Sequence, residues 1–139
     1  REILRISSMD QIEIFVKFDR SLEDLIELIS TDMGVDFILS SYTYSERSMY
    51  YYWIGDVNIE VCHNTYENGE TGWGSIEDFD FLSLYNFMIP VSYSLRDRED
   101  EPEIQKQAHE VMREIVRILT AAGVSGIVMS NLCNKILDF

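Results

Sequence analysis

Apolar and polar residues alternate from Gln11 to Phe18: Ile12, Ile14, Val16 and Phe18 fall on one side, Gln11, Glu13 and Lys17 on the other. Period two predicts a strand with one buried face, Phe15 being an apolar exception on the outer side. The period then changes. Leu22, Leu25, Ile26, Ile29 and Met33 recur at helical spacing, Ser21 and Asp24 have the spacing of a capping box, and Gly34 supplies a left-handed stop. Alternation returns from Asp36 to Tyr66. There "DFILSSYTY" reads as a strand, "SERS" as its turn and "MYYYWI" as the next strand; "GD" is a two-residue hairpin loop before "VNIEVCHNTY". In this last strand Val57, Ile59, Val61 and His63 share one face and Asn58, Glu60 and Cys62 the other.

Further on, "LYNFMIPVSYSL" places Tyr85, Phe87, Ile89, Val91, Tyr93 and Leu95 on one face. Pro90 cannot donate to a ladder, which predicts an edge strand or a bulge there. In "EPEIQKQAHEVMREIVRILTAAG" a single apolar stripe runs from Ile104 through Ala108, Val111, Met112, Ile115, Ile118 and Leu119 to Ala122. This is a long amphipathic helix, with Pro102 and acids in its first turn and Gly123 as its stop. A short strand, "SGIVMS", and a short helical tail, "NLCNKILDF", follow. The order β-α-β-β-β-β-α-β predicts a two-layer α+β fold: a mostly antiparallel sheet with two amphipathic helices packed on one face.

Length and composition agree with a single domain over residues 1–139, in which 1–8 read as a flexible or non-native lead-in. No run of about 18 apolar residues occurs, which predicts no membrane span, and the first residues lack the apolar core of a signal peptide. Two cysteines, Cys62 and Cys133, lie far apart without metal spacing, a pattern that favours a reduced, cytoplasmic protein.

Charge changes the picture most. Eleven Lys+Arg against 25 Asp+Glu give a net charge of −14, a surface that repels nucleic acid and anionic lipid and attracts basic partners. The net negative charge is also unevenly spread: no Lys or Arg lies between Arg47 and Arg96, where Asp56, Glu60, Glu67, Glu70, Glu77, Asp78 and Asp80 all fall. A second cluster, "RDREDEPE" at 96–103, contains Asp97, Glu99 and Asp100. Solubility alone is the plain alternative reading of such charge.

Candidate chemistry is sparse. In "YENGETGWGSIEDFD" an EF-hand register with Gly69 at the sixth position puts Tyr66 at the third and Ser75 at the twelfth, so the ligand pattern fails. Cys62, His63, His109 and Cys133 lack zinc spacing, and Cys62 and His63 point to opposite faces of a strand, which precludes a nucleophile–base pair. "GETGWG" has neither the strand-to-helix context nor the lysine of a phosphate loop. Carboxylate pairs such as Glu77 and Asp78 are more often solvated than catalytic. The expectation is no catalytic site, no metal and no cofactor. Aromatic rings supply the other signal: Tyr42, Tyr44, Tyr50, Tyr51, Tyr52, Trp53, Tyr66, Trp73 and Tyr85 crowd the central strands and loops. Since "YYYW" alternates faces, some rings fall outside a one-sided core; they serve either as helix-covered packing or as an interface.

The segments "SLEDLIELISTDMGVDF", "YYYWIGDVNIEVCHNTYENG" and "DFDFLSLYNFMIPVSY", with "ILTAAG" before "SGIVMSNL", resemble small immunity proteins of bacterial polymorphic and contact-dependent growth inhibition toxins. The resemblance spans about residues 20–132, in pattern and order, without a diagnostic motif. It implies a cytoplasmic, non-catalytic protein that binds one cognate toxin and blocks it, commonly a nuclease with a basic surface. From charge and aromatics, the partner-binding residues expected are Tyr66, Glu67, Glu70, Trp73, Glu77, Asp78, Asp80, Asp97, Glu99 and Asp100. The partner expected is a basic toxin, with no direct nucleic acid or membrane contact, and the chain itself is expected to be a monomer or weak homodimer. An acidic nucleic-acid mimic directed at a restriction or CRISPR-type effector is the second class, and a small ligand-binding domain or enzyme around His63, Tyr66 and Trp73 the third.

Overall fold

The alternation and the helical stripes place ten elements along the chain in a computed structural model that describes residues 9–40, 48–64, 80–94, 99, 101–131 and 134–139. Strand β1 (Met9–Lys17) leads into helix α1 (Leu22–Met33), then β2 (Ile38–Leu39), β3 (Met49–Ile54) and β4 (Val57–His63). A 3-10 turn (Asp80–Leu84) precedes β5 (Phe87–Ser94), helix α2 (Glu101–Ala121), β6 (Ser125–Ser130) and β7 (Asn134–Asp138). The seven strands form one antiparallel sheet in the order β2-β3-β4-β5-β1-β6-β7.

Local signals were realised where they were strongest. Ser21 accepts from the Asp24 amide while the Asp24 carboxylate accepts from the Ser21 amide, closing the capping box, and Gly34 ends α1 at φ 69° with its N–H on the Ser30 carbonyl. Gly55, at φ 59°, turns the two-residue loop that pairs Ile54 with Val57. Both helices lie on the same face. Their stripes close over Ile12, Ile14, Val16, Val57, Ile59, Val61, Ile89 and Val91, forming the main core as the two-layer α+β reading requires. Arg117 on α2 also bonds Asp32 on α1 at 3.0 Å, an exposed pair that water and salt screen.

Three expectations are corrected. Pro90 lies on a central strand, not an edge: β5 runs between β4 and β1. Nor is there a bulge, because the β4–β5 register resumes unshifted at Cys62↔Met88 after Ile59↔Val91. The ladder is interrupted only where the proline lacks its N–H, which leaves the Glu60 carbonyl opposite without a ladder donor. Second, the tail read as helical is strand β7, paired along β6 and extended by reciprocal 3.0 Å bonds between Gly126 and Phe139. Third, β1 is buried on both faces. Phe15 is fully buried in a second cluster with Leu82, Ile127 and Met129, and Glu13 beside it is 1% exposed. Tyr85 joins that cluster, its ring 6.3 Å from Phe15, because β5 begins at Phe87 and not at Leu84.

Candidate functional site

The face of the sheet away from the helices divides into two halves. One is apolar and lies under the 3-10 turn, which Asn64 holds down: its amide donates to the carbonyls of Leu82 and Tyr85, both at 2.9 Å. The other half is polar. The pairing register sets Trp53, Asn58, Ser92 and Gln11 in one row across β3, β4, β5 and β1. The next row holds Tyr51, Glu60, Pro90 and Glu13. Glu13 and Glu60 are two strands apart, about 10 Å at the backbone.

Burial and hydrogen bonding are uneven within this half. Trp53 is 49% exposed, although its strand neighbours Tyr50, Tyr51 and Tyr52 are half-buried. Asn58 is 9% exposed, and its Oδ1 is buried and accepts no hydrogen bond among the described residues. Leaving a buried acceptor unpaired costs about 1–3 kcal/mol. Burial pushes the Glu60 carboxyl above the usual carboxylate range, and the Asn58 hydrogen bond opposes that shift. The cluster therefore combines a buried carboxyl with a buried, unmet acceptor.

A raised carboxyl pKa has a definite sign in stability. The folded state holds its proton more tightly than the unfolded one, so the contribution is complete below the ordinary carboxylate range and is lost as pH rises through the raised value. Glu60→Gln, which keeps the shape and an acceptor for Asn58, is therefore expected to be more stable than the native chain at neutral pH, with the difference shrinking on acidification. Urea unfolding at several pH values reads this directly, and a variant equally destabilised at all of them would contradict it.

The acidic residues expected to bind a partner fare differently. Tyr66, Glu67, Glu70, Trp73, Glu77 and Asp78 lie outside the described residues, as do Asp97 and Asp100. Asp80 is the first residue of the 3-10 turn and Glu99 is exposed just before α2. The ends of the acidic run are nonetheless fixed: β4 delivers it from Asn64, and the buried Leu82 receives it on the apolar half of the same face. His63 packs on the helix side of the sheet with its ring 5.1 Å from Phe87, and Cys62 is a buried thiol whose Sγ lies 3.8 Å from the Met88 carbonyl. Sequence reasoning had put Asn58 and Glu60 on the outer side of their strand. It missed their juxtaposition with Trp53 and Pro90, which rests on register between strands distant in sequence.

Among the described residues no group of three or more His, Cys, Asp or Glu is placed to hold a metal ion, and no helix is long and apolar enough to cross a membrane. The chain matches no protein-family model, no curated protein and no solved structure.

Proposed function

We propose that this chain is a non-catalytic immunity protein that binds a cognate basic toxin, a nuclease domain, in the cytoplasm and neutralises it. The observation that carries this reading is the segregation of charge. Half of the net −14 falls in one stretch, 48–95, that contains seven acids and no Lys or Arg. That stretch also includes β3, β4 and β5, hence the exposed Trp53 and the acceptor-rich cluster beside it. Basic surfaces that grip phosphate are complementary to such a face: opposite charge speeds and orients the encounter, and aromatic rings slow dissociation. A nucleic-acid mimic needs an array of carboxylates more than rings, and the exposed indole favours the protein-binding reading.

Reversing Glu67, Glu70, Glu77, Asp78 and Asp80 to Lys together is expected to weaken binding of the basic polypeptide retained by the native chain by about 100-fold or more, mostly through the association rate and most strongly at low salt. The thermal midpoint should stay close to native. Trp73→Ala is expected to raise the dissociation rate. Unchanged affinity in the five-fold variant would show that the acidic run takes no part in recognition.

A further inference from the structure

We propose that the polar half of the sheet face away from the helices is a socket for an arginine side chain, held by the Glu60 carboxylate and the Asn58 carbonyl oxygen beneath the Trp53 ring. The inference rests on the reading of the chain as a binder of a basic protein, and it names the side chain recognised and the place. Two groups of the cluster are acceptors in want of a donor. Asn58 Oδ1 accepts nothing among the described residues, and Pro90 withholds the ladder donor that the Glu60 carbonyl would otherwise receive. Burial works against the charge of the Glu60 carboxylate, which an incoming cation would restore. Directly across the strand pair stand two rings, Trp53 opposite Asn58 and Tyr51 opposite Glu60.

A guanidinium fits this chemistry. It carries five N–H donors in a planar fork, enough for the carboxylate and a neighbouring carbonyl together, and its flat face stacks on an aromatic ring. An ammonium is a compact, strongly hydrated point charge that loses more on entering a half-buried site and gains less from stacking. Trp53 is 49% exposed, which leaves part of its ring available to stack on an entering side chain.

The test uses the full ¹⁵N-labelled chain and three small probes: N-acetyl-arginine methylamide, its lysine counterpart and its uncharged citrulline counterpart. Saturable shifts are expected at the Asn58 side-chain amide and the Trp53 indole N–H with the arginine probe, weaker binding with lysine and none with citrulline. Glu60→Gln, with its spectrum otherwise native, should lower the arginine affinity by about tenfold, the loss of one charge-assisted pair. The socket is overturned if these two groups show no saturable shift up to the solubility of the probe, if citrulline binds as arginine does, or if Glu60→Gln leaves the affinity unchanged. No partner protein enters this experiment, so its failure removes the socket alone. The broader reading stands or falls separately on retention of a basic polypeptide by the chain.

Discussion

Phe15→Ala is expected to lower the stability of the fold by about 4 kcal/mol, at a position where the polar alternation of β1 points to solvent. Phe15 is fully buried and packs with Leu82, Ile127 and Met129, while Phe81, Tyr85 and Met88 close around it. Truncation removes a large apolar side chain and leaves a void that a sheet face paired on both sides cannot collapse to fill, since β5 and β6 hold β1 in register. The loss should appear as a lower urea midpoint with an unchanged slope. The 3-10 turn rests on the same cluster, so the variant should also expose the backbone near Leu82 to faster amide exchange. A loss below about 1 kcal/mol, typical of a surface site, would mean that the second cluster does not form in solution.

The second large effect falls on Gly126. A Cβ added there would collide with the Phe15 carbonyl oxygen on β1 and with the Phe139 ring. The ring could swing aside, but the carbonyl belongs to a central strand and cannot. Gly126→Ala therefore forces β6 away from β1 and breaks the reciprocal bonds to Phe139 that fasten the end of the chain, at a cost of about 3 kcal/mol. Gly34→Ala provides the contrast. Nothing lies within 4 Å of its added Cβ, so only the strain of φ 69° remains, about 1 kcal/mol. Parallel urea denaturation of the two variants separates close approach from backbone strain, and equal losses would contradict the account of Gly126.

The elements legible in the sequence are those whose signals are local. The capping box at Ser21 and Asp24, the stop at Gly34 and the stripe from Ile104 to Leu119 each lie within a few turns of chain, and all three were realised. The hairpin around Gly55 was legible for the same reason. What was misread depended on partners distant in sequence. "NKILD" is a short apolar run that periodicity cannot assign, and pairing with β6 decides it as a strand. Pro90 suggested an edge because a single strand carries no information about its neighbours, yet the interrupted ladder accommodates it between β4 and β1. The candidate site divides in the same way. Charge segregation and the crowding of rings were readable directly, and so was the outward side of Asn58 and Glu60. Their position across from Trp53 and Tyr51 belongs to the β3–β4 register, and the unmet Glu60 carbonyl belongs to a proline thirty residues downstream.

The most direct test of the central claim is a pull-down from lysate of the source cell, with this chain as bait, at low and then moderate salt. The expected result is one basic polypeptide in equimolar amount, retained at moderate salt, identifiable as a toxin domain whose nuclease activity disappears when the chain is added back. Recovery of nothing, or of DNA-binding effectors that wash off as salt rises, would contradict it.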